Sequence, residues 1–452
     1  MPCSQLWTRD SRLAFELNMG NIVAIVGRPN VGKSTLFNRL TEQKEAITDP
    51  TAGTTRDRHY GKSEWNGCLF SVIDTGGYVS GSDDIFESEI RRQVALAIDE
   101  SDTILFMVDV MGGITALDQS IAEMLRRSKK PVVLAANKVD TGDKQVYAAE
   151  FYQLGLGEVF CISSAHGAGT GELLDAVTQG FTKESDVVEE DLPKIAIVGK
   201  PNVGKSSLVN ALLGREQNIV TPIAGTTRDP LHARFNVFGF DVILLDTAGI
   251  RRKAKVQEDI EFYSVLRSVR AIEESDVCLL MIDAADGVQH QDLHIFSLIL
   301  KNSKGVVIVV NKWDTIGKET NTMKEFEADV RKKLEPFTDV PVVFTSVTEK
   351  QRIHKAMELA MQVYEDRKRR IPTHELNELM LPEIEHYPPP ALKGKYVKIK
   401  FCTQLPTRVP SFAFFCNFPQ YVKEPYLRFL ENKLRGHYRF TGVPIRIFLR
   451  KK

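Results

Sequence analysis

The sequence predicts an α/β protein. Two tandem domains, each a mostly parallel sheet with helices on both faces, precede a smaller α+β domain. Three observations carry this. One ordered set of motifs occurs twice, short apolar runs alternate with helical patterns inside each set, and charge and pattern both change from Arg367 onward.

The repeat fixes the two large domains. GRPNVGKSTLFNRL at Gly27 returns as GKPNVGKSSLVNAL at Gly199, 172 residues later. AGTTRD at Ala52 and DTGG at Asp74 return at Ala224 and Asp246 with the same offset, and NKVD at Asn137 returns as NKWD at Asn311. A period this long duplicates whole domains and is no solenoid, whose repeats run about 20–50 residues. In the first copy NIVAIV, LFSVID, TILFMVDV and PVVLAAN read as buried strands, with helices expected over Gln119–Arg127 and Lys144–Leu154. The acidic stretch KESDVVEED reads as a linker. In the last domain KYVKIKF, SFAFFCNF and VPIRIFL read as strands, with a helix over Glu424–Gly436. The expected division is an extension over 1–19, domains over 20–182 and 193–366, a linker over 183–192, and a basic domain over 367–452.

Composition narrows the class. With 43% hydrophobic and 26% charged residues the chain resembles an ordinary soluble protein. It has no apolar run of the roughly 18 residues a membrane span needs. Six scattered cysteines without a CxxC pair argue against a zinc site or disulfide scaffold and suit a reducing cytoplasm. The first eighteen residues lack the apolar core of a secretory signal, and Met19 stands directly before the first strand pattern, so they read as a poorly ordered extension. Net charge is zero but uneven: residues 367–452 hold 18 Lys and Arg against 6 Asp and Glu, leaving 41 against 53 in residues 1–366. A basic end on an acidic body suits a polyanionic partner, and equally a plain solvated surface.

The motifs carry the chemistry. GxxxxGK[ST] between a strand and a helix lets backbone N–H groups curl around phosphates at a helix N-terminus. Gly27, Gly32, Gly199 and Gly204 allow that turn, and Lys33 and Lys205 would reach the β- and γ-phosphates. Ser34 and Ser206 would offer hydroxyls to Mg²⁺, with Thr35 and Ser207 beside them among the nucleotide contacts. Asp74 and Asp246 end apolar strands at the sheet edge where phosphate binds and would hold Mg²⁺ through water; Gly77 and Gly249 would donate N–H to the γ-phosphate. Asp140 and Asp314 of NKxD can accept from guanine N1–H and the exocyclic amine. Adenine lacks that donor pair, so this motif selects GTP over ATP. Asn137 and Asn311 would brace the loop, while the stems of Lys138 and Lys312 stack on the base. Ser163–Ser164–Ala165 fits a loop whose backbone faces guanine O6, with Ser164 and Ala165 as contacts; Thr345–Ser346–Val347 is the expected counterpart, Ser346 and Val347 being the contacts. One Thr of AGTTRD, either Thr54 or Thr55 and Thr226 or Thr227, would close over Mg²⁺.

These motifs resemble the translation-factor-related GTPases of the Era and TrmE type. The tandem pair with a basic end is identified as a member of the Der (EngA) family of double GTPases. RIPTHELN, TQLPTRVPSFAFFCN and LENKLRGHYRFTGVPIRI resemble that family's KH-like domain, and the resemblance runs from Asn21 to the end. It implies two P-loop GTPase domains, hydrolysis of GTP to GDP and phosphate, and a role in assembling the large (50S) ribosomal subunit through its rRNA. It favours Thr55 and Thr227 as the Mg²⁺ threonines. Tyr78 and Ile250 stand where Ras-like enzymes place Gln, and relatives with this change use K⁺. Asn30 and Asn202 match the Asn that ligates it, the plainer reading being that they brace the loop. Lys33, Lys205, Asn30, Asn202, Thr55 and Thr227 are then the catalytic set. The KH-like domain shows no GxxG clamp, and Phe412, Phe414 and Phe415 read as core. The expected protein is cytoplasmic and monomeric. A regulatory module with negligible turnover, a tRNA-modification partner and a membrane-remodelling GTPase are the alternatives; the missing Cys-terminated tail and missing anchor disfavour the last two.

Overall fold

The computed structural model describes residues 21–48, 60–66, 68–75, 90–95, 97–98, 101–179, 181, 192–213, 233–245, 261–317, 322–392 and 394–451. The expected extension and nearly all of the expected linker lie outside them. The chain divides into two compact units, Met1–Val188 and Glu189–Lys452.

In the first unit, β1 (Ile22–Val26), β2 (Tyr60–Trp65), β3 (Cys68–Asp74), β4 (Thr103–Asp109), β5 (Val132–Asn137) and β6 (Val159–Cys161) form one sheet, in the order β2-β3-β1-β4-β5-β6. Only β2 runs antiparallel to its neighbour. Alternate residues of β1 enter two different cores: Val23 and Ile25 on one face, Ala24 and Val26 on the other. Both faces are therefore covered, which is why the strands read as unbroken apolar runs. Helix Ala116–Arg127 starts at a capping box in which the Thr115 hydroxyl accepts from Asp118 N–H and the Asp118 carboxylate accepts from Thr115 N–H. The single helix expected over Lys144–Leu154 is broken. A 3₁₀ turn (Gly142–Lys144), a four-residue helix (Gln145–Ala148) and a second 3₁₀ stretch (Ala149–Leu154) occupy the segment. It buries only Ala148, Phe151 and Leu154, too few apolar contacts to hold a regular helix.

The second unit repeats the sheet with β7 (Lys194–Val198), β8 (Ala233–Val237), β9 (Phe240–Leu245), β10 (Val277–Asp283), β11 (Gly305–Asn311) and β12 (Val342–Phe344), in the order β12-β11-β10-β7-β9-β8. Helix Ile353–Lys368 runs across position 367 without a break. Beyond it, β13 (Ile399–Gln404), β14 (Ser411–Cys416) and β15 (Arg446–Lys451) form a mixed sheet backed by helices Thr373–His386 and Glu424–His437. Phe412 and Phe414 are buried in this α+β layer as expected. Phe415 faces the other way, half-buried and stacked on Phe401 with ring centroids 4.3 Å apart.

One apolar cluster runs from Ile195 and Leu279 of the second α/β sheet to Phe414 and Leu430 of the last domain. Polar contacts cross the same boundary. Arg435 reaches Asp339 at 3.2 Å, and Arg446 donates to the Ser303 hydroxyl at 2.9 Å.

Candidate nucleotide-binding sites

The first glycine loop is shaped by close approaches that only glycine permits. A Cβ on Gly32, whose φ is +99°, would lie 2.3 Å from Asn137 Nδ2; one on Gly204, φ +100°, would lie 2.3 Å from Asn311 Nδ2. Between the glycines, Asn30 and Asn202 take the left-handed conformation at φ 63° and 64° and are exposed. Among the described residues neither side chain has a hydrogen-bond partner, so no bond shows these asparagines bracing the loop. Each loop ends in a helix, Lys33–Thr48 or Lys205–Leu213, whose first N–H groups have no intrahelical acceptor.

Lys33 Nζ donates to the carbonyls of Gly27 and Arg28, both at 2.8 Å, and Lys205 Nζ donates to those of Gly199 and Lys200, both at 2.6 Å. Each ammonium thus lies folded over its own loop. Burial lowers the Lys33 pKa to about 8, although the Asp74 carboxylate pulls it upward. At the end of β3 the fully buried Asp74 accepts from the Ser34 hydroxyl at 2.6 Å. Ser34, Asp74 and Lys33 therefore converge. In the second loop Lys205 repeats the contacts of Lys33, but Asp246 lies outside the described residues, as do Thr54, Thr55, Thr226, Thr227, Gly77, Gly249, Tyr78 and Ile250.

The low Lys33 pKa has a signed consequence. Between about pH 8 and the ordinary lysine value, the unfolded chain holds more protons at this group than the folded chain, so its burial costs stability that returns as pH rises. A polyphosphate beside the ammonium reverses the preference. At pH 9, nucleotide binding to the first site should take up close to one proton, measured calorimetrically in buffers of different ionisation enthalpy. Lys33→Met should abolish the uptake at that site, and zero uptake in the unsubstituted protein would contradict the assignment.

Asn137 ties the phosphate loop to the base loop. Its Nδ2 donates to Val31 O at 2.6 Å and its Oδ1 accepts from Ser164 N–H at 2.9 Å. Asn311 repeats this with Val203 O at 2.8 Å and Val347 N–H at 3.1 Å. Lys138 and Lys312 adopt φ of 72° and 62°, and their ammonium groups sit 2.7 Å from Asp109 and 2.6 Å from Asp283. The two carboxylates expected to read the base differ. Asp140 accepts from the Ser163 hydroxyl at 2.6 Å and lies 3.4 Å from Lys144, and the Ser163 bond above all holds its pKa low. Asp314 is exposed and has no hydrogen-bond or ion-pair partner among the described residues.

These bonds shift one expected correspondence by a residue. Val139 N–H donates to Ile162 O, as Trp313 N–H donates to Thr345 O, so Ile162 matches Thr345. Ser163 then matches Ser346, and Ser164 matches Val347. His166 N–H caps the Ser163 hydroxyl and Glu349 N–H caps Ser346, each at 3.2 Å. The bonded counterpart of the expected pair Ser346–Val347 is therefore Ser163–Ser164, rather than Ser164–Ala165. Two supports were not anticipated from sequence. Arg39 donates to Ser164 O at 2.7 Å and to Ala165 O, and Arg28 Nε lies 3.3 Å from the buried Asp118 carboxylate, tying the glycine loop to helix Ala116–Arg127.

Comparison with known proteins decides the family. Residues 22–138 and 194–312 match the family described as "50S ribosome-binding GTPase", and residues 370–450 match "KH-domain-like of EngA bacterial GTPase enzymes, C-terminal". Residues 262–366 also match the elongation factor Tu GTP-binding domain. A GTPase Der of Christiangramia forsetii is 62% identical over 96% of this chain and 100% of its own length. The GTPase Der of Phocaeicola vulgatus is 61% identical, with 96% and 100% covered. The chain belongs to the Der (EngA) family. Like other Der proteins it is a GTPase with two P-loop GTPase domains and a C-terminal KH-like domain. A crystal structure of Aquifex aeolicus Era bound to GDP and AlF4⁻ is also similar at 24% identity, covering 58% of this chain and 94% of that one with a TM-score of 0.30. Among the described residues, no helix of this Der-family chain is long and apolar enough to cross a membrane.

Proposed function

We propose that this GTPase acts in assembly of the large (50S) ribosomal subunit as a cytoplasmic monomer, using the two sites described and a C-terminal domain that meets rRNA. The observation that supports it is the paired brace: in each half one asparagine bonds both the phosphate loop and the loop facing the base, so triphosphate grip and guanine recognition form one bonded unit.

In this reading the N–H groups of Gly32 to Thr35 and Gly204 to Ser207 cradle the phosphates. Lys33 and Lys205 leave their loop carbonyls for the β- and γ-oxygens, where they neutralise charge developing during transfer. Asp140 and Asp314 accept from guanine, and the Ser164 and Val347 N–H groups, which donate to Asn137 and Asn311 in this structure, would share or leave those bonds to reach O6. The Ser34 hydroxyl and the Asp74 carboxylate lie 2.6 Å apart and would offer oxygens to Mg²⁺, to which Thr55 would add a third; Ser206, Asp246 and Thr227 would be the second set. The unbonded amides of Asn30 and Asn202 suit K⁺. When bound, these cations neutralise charge on the phosphates. The carboxamides and hydroxyls of the chain would hold the γ-phosphoryl group so that a water oxygen can attack phosphorus in line with the departing β–γ bridging oxygen, giving GDP and phosphate.

Depleting the protein should lower the ratio of large subunits to whole ribosomes on sucrose gradients and accumulate large-subunit precursors. In the purified protein, single-turnover GTP hydrolysis should be faster in K⁺ than in Na⁺ at equal ionic strength. Asn30→Ala and Asn202→Ala together should remove that difference. A normal subunit ratio on depletion would refute the assembly role whatever the cation dependence.

A further inference from the structure

Residues 386–423 contain six Lys and Arg and no Asp or Glu. Part of that stretch forms an exposed edge of the three-stranded sheet, whose outermost strand is β13. The edge is held extended beyond β13 by one side chain: Asn417 Oδ1 accepts from Lys398 N–H at 2.8 Å and its Nδ2 donates to Tyr396 O at 3.0 Å. A tight turn closed by reciprocal backbone bonds between Leu392 and Lys395, with Gly394 at φ +70°, delivers the chain to this edge.

Alternation then sorts the side chains. Val397 and Ile399 point inward at 5% and 7% exposure, while Tyr396, Lys398 and Lys400 point to solvent. Tyr396 is 79% exposed, more than any other large apolar side chain among the described residues. Beside it the Lys395 ammonium sits 5.0 Å over the Phe418 ring. Lysines on a sheet edge also deter pairing with another chain. That role needs charge alone and leaves an outward aromatic ring unexplained. A ring in water on a rigid, two-hydrogen-bonded backbone, alternating with ammonium groups and free of acidic neighbours in sequence, is the combination that holds a single strand: bases stack on the ring and phosphates meet the lysines.

We propose that this edge, Tyr396 with Lys395, Lys398 and Lys400, is a single-stranded RNA site that stacks a base on Tyr396 and neutralises phosphates along the strand. It takes the place of a GxxG clamp, and it rests on the reading of this domain as the part that meets rRNA. Single-strandedness follows from the ring, since a paired base keeps its faces inside the duplex.

The full-length protein would be titrated into a fluorescein-labelled 12-mer of oligouridylate, followed by anisotropy at several salt concentrations. Tyr396→Ala should weaken binding about tenfold with the salt slope unchanged. Lys398→Gln with Lys400→Gln should weaken it and reduce the slope of log K against log salt by about 1.4, at ~0.7 per lysine on a single strand. Lys355→Gln, an exposed lysine on helix Ile353–Lys368, should change neither. Melting temperatures and RNA-free GTP hydrolysis should stay at wild-type values, because every substituted side chain faces solvent. Unchanged affinity in both edge variants, with the parent still binding, would overturn this site while leaving the rRNA reading intact. Equal binding to a duplex of the same length, indifferent to Tyr396→Ala, would also overturn it. Failure of the parent protein to bind any RNA would instead remove the reading beneath it.

Discussion

Asp140→Asn should lower the affinity of the first site for GTP and GDP by about ten-thousand-fold, and Asp314→Asn should do the same at the second. A pocket built to pair hydrogen-bonding groups rejects a ligand that leaves them unpaired by roughly this factor. The exchange replaces an acceptor oxygen with an amide donor, which now opposes the exocyclic amine of guanine. Xanthine carries a carbonyl at that position, so each variant should gain affinity for xanthosine triphosphate as it loses GTP. Site-resolved titration of each single variant, with the untouched site as internal reference, checks this. The two variants should differ in one respect. Asp140 is held by the Ser163 hydroxyl and flanked by Lys144, whereas Asp314 has neither. The neutral amide at 140 therefore weakens bonds that exist without ligand, and hydrogen exchange should rise in the loop containing Ser163 but not in the one containing Ser346. Unaltered guanine affinity in either variant would show that its carboxylate does not read the base.

The two glycine loops and the two NKxD motifs were legible because their demands are local. A turn in which a Cβ would lie 2.3 Å from an asparagine amide tolerates no side chain, and that prohibition leaves glycine at fixed spacing in the sequence. The loop after β6 and β12 was legible only to within a residue. Its bond to the brace is made by a backbone N–H, which any residue supplies, so Ser164 and Val347 share a position without sharing a side chain. The Arg28–Asp118 pair was not legible, because nothing nearby in sequence marks Asp118, the capping partner of Thr115, as the partner of a glycine-loop arginine. Least legible of all was the joint between the second GTPase domain and the KH-like domain. Arg435–Asp339 and Arg446–Ser303 link residues 96 and 143 positions apart, and no periodicity records such a pairing.

One glycine at that joint has no room for a side chain. Gly442 O accepts from Val306 N–H of β11 at 2.8 Å, and Gly442 N–H donates to Asp339 O at 2.7 Å, so one residue of the KH-like domain is bonded both to β11 and to the segment before β12. Its φ is +74°, and a Cβ there would lie 2.5 Å from Val306 O, 2.9 Å from Pro341 Cδ and 2.9 Å from Val363 Cγ2. A backbone oxygen cannot swing aside as a flexible side chain would, so Gly442→Ala must displace the loop. Left-handed backbone costs an alanine about 1–2 kcal/mol, and forcing a methyl into packed surroundings adds about 1–3 kcal/mol. The sum is a large share of the stability of an ordinary domain, about 5–15 kcal/mol. The second unit should therefore melt well below wild type, while nucleotide binding at the first site is unaffected. Hydrogen exchange should rise first at Val306, Gly442 and the Arg435 contacts, ahead of the second glycine loop, because the strain enters at the end of β11 remote from Asn311. A variant with unchanged melting and exchange would mean that the KH-like domain is not fastened to the sheet through this residue. An exchange pattern that rose equally at Gly204 would mean that the joint and the second nucleotide site open as one cooperative body.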